Sequence, residues 1–251
     1  QLELQVADLP LGLFFVLALS GLAIYGVFLG GWASKNNFAL LGALRGAAQM
    51  VSYEVVLGLT LVGLMMIYGS AGLQNMVRAQ GGLLFGFVPA WGVVYQPFAF
   101  ILFLVASTAE NKRTPFDLVE GESEIIGYFM EYSSMRFAAF MFAEFIEIVL
   151  ISMLLATLFF GGWQVPYLYE SGFMFPGGTE LPLNHYLVSA MHVGSFAVKT
   201  VFFCWFSLVV RWTLPRFRFD QMMGLCWKAL LPLALLNILA TGAVMLALGK
   251  L

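Results

Sequence analysis

Long apolar segments alternate with short polar ones along most of the chain. A transmembrane helix needs about 20 consecutive apolar residues to cross a hydrocarbon layer of about 30 Å. Because these segments are apolar on every side, helices are the structures that satisfy their backbone groups in lipid. The pattern predicts an all-α polytopic membrane protein with a single transmembrane domain over residues 1–251. We place its six helices near residues 11–32, 46–68, 91–109, 137–160, 185–210 and 226–248.

Proline and glycine modify three of these segments. Pro97 lies in the third predicted helix and Pro232 in the sixth, and each removes a backbone hydrogen bond, so we expect kinks there. Small residues recur along the first predicted helix, where they would let a neighbouring helix approach closely. These residues are Gly12, Gly21, Gly26 and Gly30.

The composition agrees with a membrane protein and excludes some other classes. The chain is 61% hydrophobic and only 10% charged, whereas soluble domains carry roughly 25% charged residues. A formal net charge of −2 excludes a basic nucleic-acid-binding protein. Cys204 and Cys226 are isolated in apolar segments, and His185 and His192 lack a third ligand, so we expect two buried thiols and no metal site.

The Lys and Arg residues are unevenly distributed between the two sets of connections. Nine of the twelve lie on one side: Lys35, Arg45, Lys112, Arg113, Arg136, Arg211, Arg216, Arg218 and Lys228. The positive-inside rule predicts that this side is cytoplasmic and that both ends of the chain are periplasmic. The chain begins at Gln1 in a polar stub without a signal-peptide pattern, which we expect of a start inside a longer protein.

The connection between the third and fourth predicted helices is rich in acidic residues. It contains six of the fourteen acids in the chain, namely Glu110, Asp117, Glu120, Glu122, Glu124 and Glu131. Lys112 and Arg113 lie beside them. Acids spaced so closely suit the handling of protons or the docking of a charged partner, and a merely solvated acidic loop is the alternative.

Four ionisable residues lie well inside the predicted helices. Counted from the basic residue at the inner end of each helix, Glu54 lies at a depth of about 13 Å, Glu144 at about 12 Å and Lys199 at about 18 Å. Glu147 follows Glu144 by one turn and shares its face. These residues therefore occupy the middle third of the predicted membrane layer.

Such residues are costly in lipid, at roughly 2.5–3.5 kcal/mol each, and must face the bundle interior, water or each other. Burial and neighbouring like charges both favour the neutral form of a carboxyl group, so we expect some of them to bind protons near neutral pH. A layer of this kind can relay protons along the membrane plane. The alternative is one buried Lys–Glu pair that only makes packing specific.

A basic and aromatic run, residues 211–221, joins the last two predicted helices on the inner side. Arg211, Arg216 and Arg218 alternate there with Trp212 and Phe217. The run either anchors helix ends at lipid head groups or lines a site for a ligand with a polar head and an apolar tail.

Several stretches together resemble one protein family. AENKRTPFDLVEGESE (residues 109–124) followed by MEYSSMRFA (residues 130–138) resembles the signature of the membrane subunit at the heel of respiratory complex I, which is also called NADH dehydrogenase subunit 1. Gly31–Glu54 and Pro215–Pro232 support the resemblance, which extends in order over nearly the whole chain.

The resemblance implies a role in quinone reduction coupled to proton translocation. Such a subunit forms much of the quinone chamber of an NADH:quinone oxidoreductase and links its redox arm to its membrane arm. The matching quinone-proximal loop positions are Glu110, Arg113, Asp117, Glu120, Glu122 and Glu124, with Arg211 on the chamber wall. The matching proton path is Glu131, Glu144 and Glu54, and the depth of Lys199 adds that residue to the path.

The resemblance also implies the setting of the subunit. It would bind quinone, such as ubiquinone, and carry no redox centre or metal of its own. NADH, FMN and iron–sulfur clusters would lie on partner subunits, which include the hydrophilic quinone-site and terminal iron–sulfur subunits and adjacent membrane subunits. Membrane lipid would surround it in a bacterial inner membrane, with the mitochondrial inner membrane as the alternative.

Two departures from the family and three alternative functions remain open. The family has two further N-terminal helices and an amphipathic segment, and Glu147 stands where we expect a neutral residue. The nearest alternative is the related membrane subunit of a membrane-bound hydrogenase or ferredoxin-linked complex. A stand-alone ion transporter should show an internal repeat, of which the chain has only a weak trace, and the third alternative is a passive membrane anchor.

Overall fold

The computed structural model describes residues 7, 9–84, 87–119, 125–169, 172–174 and 180–249, and within these ranges it is mostly helical. The helices, in chain order, are α1 (Gly12–Ala33), α2 (Asn37–Tyr68), α3 (Leu73–Ala79), α4 (Gly92–Tyr95), α5 (Pro97–Glu110), α6 (Ser134–Phe159), α7 (His185–Thr213), α8 (Phe219–Leu225) and α9 (Leu231–Ala247). A π-helical turn, Cys226–Leu230, joins α8 to α9 without a break.

Five helical stretches are long and apolar enough to cross a membrane, judged by length and composition. They are α1, α2, α6, α7 and the continuous stretch Phe219–Ala247. Many of their large apolar side chains are exposed, such as Val198 and Trp205 on α7 and Leu239 on α9. A water-soluble protein rarely leaves so much apolar surface uncovered, and the chain is an integral membrane protein.

The third predicted helix differs from the other five. It is divided into α4 and α5 at Gln96, whose φ of −136° and ψ of 68° are not helical. Pro97 then begins α5, since proline suits the first position of a helix. With 14 residues, α5 is about 21 Å long, so a sixth crossing stays a prediction.

The expected disturbance at Pro232 takes the form of a change in helical register. Pro232 stands in the first turn of α9, directly after the π-helical turn. Its missing N–H removes one hydrogen bond from the ladder, and the wider π turn accommodates that loss. Cys226 begins this turn, is buried and donates from Sγ to the carbonyl oxygen of Ser52 at 3.3 Å.

The core lies between α2, α5 and α6, and α2 is its central element. Half of the most apolar window of α2 is buried, more than in any other of the five long stretches. Tyr53, Leu57 and Leu61 of α2 pack there with Phe103 of α5 and Phe159 of α6. This core positions three helices that each carry ionisable residues.

Short strands and turns connect the helices at the end that we call the outer end, formed by residues 70–92 and 160–184. The antiparallel pairs are β1 (Leu83–Leu84) with β2 (Val88–Pro89), and β3 (Leu168–Tyr169), β4 (Gly172–Met174) and β5 (Glu180–Pro182) in that order. Gln80 joins this end together, since its amide nitrogen donates to Thr157 O and its amide oxygen accepts from Gly92 N and Gly161 N.

The opposite end, which we call the inner end, contains the α1–α2 turn, residues 111–133 and the α7–α8 turn. Asn36 begins α2 there by accepting a hydrogen bond from Phe38 N at 2.9 Å. Asn184 does the same for α7 at the outer end, accepting from Tyr186 N at 3.4 Å. These caps satisfy orphan donors in the first turn of each helix.

Candidate functional site

The chain leaves α5 inside the helical bundle. Gln49 lies twelve residues into α2, about 18 Å from its start, and its amide nitrogen donates to Ala109 O at 2.6 Å and Phe116 O at 2.8 Å. Phe116 and Leu118 are buried at that level. The sequence predicted a polar loop here, and the structure instead buries the first part of the connection against α2.

Helix α5 ends because Lys112 adopts a left-handed conformation with φ of 53°. Glycine usually occupies this position after a helix, since a Cβ is unfavourable there. The turn directs the Lys112 side chain into the bundle, where only 4% of it is exposed. The strained backbone is thus coupled to a buried charge.

Two buried ion pairs connect this turn to α6. Lys112 Nζ lies 3.4 Å from Glu147 Oε2, and Arg113 Nη2 lies 3.1 Å from Glu144 Oε2. None of the four side chains is more than 12% exposed. Buried charges of this kind are tolerated when paired, and removing one partner typically costs about 3–5 kcal/mol.

Two more carboxyl groups approach the same pairs from α5 and α2. Glu110 is the last residue of α5, is buried, and lies within electrostatic range of Glu147, Glu54 and Lys112. Glu54 is half-buried on α2, facing α1, where a Cβ atom at Gly21 would lie only 2.6 Å from its Oε1. The structure therefore brings Glu54, Glu110, Glu144 and Glu147 into one group, which we call the carboxylate cluster.

Tyr128 closes the cluster on its inner side. Its hydroxyl donates to Glu144 Oε1 at 3.4 Å. Its ring packs edge-on against Phe129 at 4.9 Å and Phe140 at 5.4 Å between centroids. Tyr128 was not predicted from the sequence, since nothing in its spacing distinguishes it from the other aromatic residues of the segment.

The pairing of Lys112 with Glu147 and the role of Gln49 were not predicted either. Charge complementarity between the turn and α6 was visible, but a connection drawn as a solvated loop cannot reach two turns into a helix. The short length of α5 was the signal that could have revealed it, because a 14-residue helix ends well before a longer neighbour does.

Glu131 lies at the surface of the inner end, away from the two ion pairs. It is exposed and accepts a hydrogen bond from Asn36 Nδ2 at 2.7 Å. The adjacent Tyr132 hydroxyl donates to Gly30 O at 2.6 Å. These contacts fix the end of the acidic connection to the α1–α2 turn, so the structure does not place Glu131 in the carboxylate cluster.

Lys199 lies at the outer end, so the structure does not bring it to the carboxylate cluster. Its Nζ donates to the carbonyl oxygens of Phe160, Gly162 and Gln164 at 2.7–2.9 Å. It also lies 4.9 Å from the centroid of the Trp91 ring. The ammonium group thereby satisfies carbonyls at the end of α6 and in the turn that follows, a structural role that depth along α7 did not predict.

Asp117 and the α7–α8 turn are bound to each other. Arg216 Nη2 donates to Asp117 Oδ2 at 2.9 Å. Phe116 stacks on Phe217 at 5.3 Å between centroids, and Phe217 N donates to Pro115 O at 3.0 Å. The basic run and the acidic connection, which the sequence placed on the same side, are therefore in direct contact.

Arg211 and Arg113 line the same small cavity between α5, α6 and α7. Thr114, Phe145 and Ser207 also contribute to its wall. The space is about 30 Å³, enough for ordered water. Arg113 thus faces this cavity as well as Glu144, and its guanidinium carbon lies 5.2 Å from the centroid of the Phe145 ring.

The remaining predicted site residues, Glu120, Glu122 and Glu124, lie outside the described residues. Within the described ranges, no group of three or more His, Cys, Asp or Glu residues is arranged to hold a metal ion. The chemistry of the described site is therefore that of carboxyl, ammonium, guanidinium and phenol groups, which bind and release protons.

Comparison with known proteins places the chain in a family. Residues 2–242 match the family described as NADH dehydrogenase. The chain belongs to this family. The family match covers all the residues of the carboxylate cluster.

Similar proteins are named as the H-type subunit of NADH-quinone oxidoreductase. Those of Thermomicrobium roseum and Cytophaga hutchinsonii are 46% and 41% identical to this chain, and a protein of Geobacter sulfurreducens, the second of that type in its name, is 47% identical. Each match covers 98% of this chain and 66–68% of the relative. The chain thus spans about two thirds of the length of these NADH dehydrogenase family members.

Proposed function

We propose that this chain is the quinone-chamber and proton-relay membrane subunit of a proton-pumping NADH:quinone oxidoreductase. The names of its relatives support the assembly, and the carboxylate cluster supports the role. The observation that carries the proposal is the pair of buried bridges, Lys112–Glu147 and Arg113–Glu144. They join a connection reached from the inner end to carboxyl groups deep in the bundle.

The arrangement provides a route for charge between two regions. Asp117, Arg216 and Arg211 lie toward the inner end, where a quinone head group would be reduced. Arg113 lines the cavity shared with Arg211 and also contacts Glu144. A quinone that accepts two electrons takes up two protons, and a change in charge near Arg113 would alter the strength with which Glu144 holds its own proton.

Protons would then move between neighbouring carboxyl groups of the cluster. Glu144, Glu147, Glu110 and Glu54 belong to three helices at one level of the bundle. The relay follows the membrane plane toward adjacent membrane subunits. Glu131, at the surface of the inner end, would exchange protons with water, and the loop acids Glu120, Glu122 and Glu124 remain candidates for contact with the quinone site.

Lys199 remains a candidate relay residue from its depth alone. Its three carbonyl partners at the outer end favour a structural contribution. The cluster supplies the relay we propose, and the ammonium group would support it by holding α7 against the end of α6.

The subunit would act as part of an enzyme. Electrons would come from NADH through FMN and iron–sulfur clusters on partner subunits, and quinone would be the substrate bound at the inner end. The partners would be the hydrophilic quinone-site and terminal iron–sulfur subunits, adjacent membrane subunits and membrane lipid.

The proposed setting is a bacterial inner membrane, with the mitochondrial inner membrane as the alternative. All of residues 1–251 would form one transmembrane domain with six crossings, in which α4 and α5 make the short third crossing. Both ends of the chain would then lie on the periplasmic side, as the distribution of Lys and Arg predicts.

Substitution of the two predicted relay acids tests the function. In the assembled complex, Glu144→Gln and Glu54→Gln should lower quinone-dependent turnover and proton transfer together, by about tenfold or more, since one proton-transfer group typically contributes 10²–10⁴-fold. Turnover is measured with NADH and a soluble quinone, and proton transfer by a pH-sensitive dye in proteoliposomes. Asp220→Asn, which neutralises an exposed acid at the start of α8, is the matched control.

The same preparations separate the proposal from its alternatives. Normal coupled turnover in both variants would remove the relay role. Intact mass spectrometry of the assembly would reveal a nickel-containing large subunit if the chain belonged to a hydrogenase-like complex. Ion transport by the isolated chain in liposomes would indicate a transporter, and loss of assembly alone would indicate an anchor.

A further inference from the structure

Glu147 is placed to do more than balance one lysine. Its Oε2 faces Lys112 at 3.4 Å, and its side chain is only 10% exposed. Its Oε1 is buried and has no hydrogen-bond partner among the described residues. Glu110 lies within electrostatic range. One ammonium group is therefore shared by two buried carboxyl groups, one ending α5 and one on α6.

The charges around Glu147 do not balance when every group is ionised. The groups that face it from the surrounding elements are Glu54 on α2, Glu110, Lys112 and Arg113 at the end of α5, and Glu144 with its partner Tyr128. Arg113 lies directly against Glu144, so Lys112 alone serves Glu110 and Glu147. An ionised carboxyl group without a partner is unfavourable in a buried site and takes up a proton instead.

We propose that Glu110 and Glu147 share a single proton, with Lys112 balancing the one remaining charge, so that Glu147 is a further proton-binding residue of the carboxylate cluster. The role of this pair in coupling rests on the proposed function, but the sharing itself does not. Two interacting carboxyl groups titrate as a pair, so the proton belongs to both.

The transfer within the pair is balanced. The O–H bond on the Glu110 carboxyl breaks and an O–H bond forms on Glu147, while Lys112 stays protonated throughout. The negative charge moves from Glu147 to Glu110, and the total charge of the three groups is unchanged. The proton thereby passes from α5 to α6, next to Glu144, without leaving the buried site.

Infrared difference spectra of the assembled complex test this proposal without any turnover. The C=O stretch of a protonated carboxyl group is compared between the parent and each variant in detergent at neutral pH. Glu147→Gln should remove the shared band, because Glu110 then pairs with Lys112 in its ionised form. Glu110→Gln should remove the same band for the reciprocal reason, and Asp220→Asn should leave it unchanged.

A double variant guards against misfolding caused by an unpaired lysine. Lys112→Gln/Glu147→Gln leaves Glu110 without an ammonium partner, so Glu110 should hold its own proton and one carboxyl band should be present. A band that persists in Glu147→Gln would overturn the shared proton. So would a double variant that lacks the band, or an effect of Glu110→Gln on a different band.

The outcome is independent of the quinone chemistry. Loss of the shared band with normal coupled turnover would leave the shared proton standing and remove its part in the relay. Normal spectra with impaired Glu144→Gln and Glu54→Gln variants would uphold the proposed function and remove the inference about Glu147.

Discussion

Gly21 on α1 provides the space that the Glu54 carboxyl group occupies. A Cβ atom there would lie 2.6 Å from Glu54 Oε1, so Gly21→Ala should push the carboxyl group away from its place. A displacement of about 1 Å can cost as much as 10²-fold when a reaction depends on position, and we expect proton transfer in proteoliposomes to fall by about tenfold.

Gly26→Ala is the matched control for this substitution. Gly26 lies on the same helix, and a Cβ atom there would meet nothing within 4 Å. Its proton transfer should equal that of the parent. Equal losses in the two variants would show that α1 simply tolerates no larger residue, and the position of Glu54 would not be the cause.

At the residue scale, counting along helices predicted some of the site. Glu54 and Glu144 were placed at similar depths from the inner ends of α2 and α6, and both belong to the carboxylate cluster. Counting along α7 placed Lys199 in the same layer, but depth alone does not reveal which face of a helix meets which neighbour. The carbonyl groups at the end of α6 determine where Lys199 points, and these could not be inferred from α7.

At the element scale, Gln49 holds the turn after α5 against α2. Gln49→Leu would remove two hydrogen bonds and leave the carbonyl groups of Ala109 and Phe116 unsatisfied. Each unsatisfied buried group costs about 1–3 kcal/mol. We therefore expect the complex to lose quinone-dependent activity at a lower temperature, measured as residual turnover after heating.

The half-buried Gln74 on the short helix α3 offers a comparison. Gln74→Leu makes the same chemical change away from the turn, and the complex should keep the heat resistance of the parent. If both variants lost activity at the same temperature, the anchoring role of Gln49 would be excluded.

Hydropathy predicted where helices exist better than where they end. The second predicted segment began near residue 46, whereas α2 begins at Asn37, since Asn36 caps it and polar residues continue the helix. The sixth began near residue 226, whereas the helical stretch begins at Phe219. Apolar length measures what lipid requires, and helices extend beyond it wherever capping and packing permit.

At the scale of the whole molecule, contacts between connections agree with their predicted grouping into two ends. Asn36 meets Glu131, and Arg216 meets Asp117, all at the inner end. Phe160 to Gln164 meet Lys199 at the outer end. Alternation of the crossings predicts this grouping, whereas the burial of the acidic connection depends on the shortness of α5 and could not be inferred from alternation.

The short third crossing yields the last prediction. Asn75 on α3 and Ser133 before α6 are both exposed, and α4 and α5 are the helices that separate them in the chain. If these two helices cross the membrane, a cysteine at position 75 should react with a membrane-impermeant maleimide only in right-side-out vesicles. A cysteine at position 133 should react only in inside-out vesicles.

The variants for this measurement are Asn75→Cys and Ser133→Cys. The parent, with Cys204 half-buried and Cys226 buried, gives the background, and labelling after solubilisation in detergent gives the maximum. Reaction of both cysteines from the same side would mean that α5 enters and leaves by one face. The chain would then cross the membrane only with its five long helical stretches, and the carboxylate cluster would lie beside a re-entrant segment.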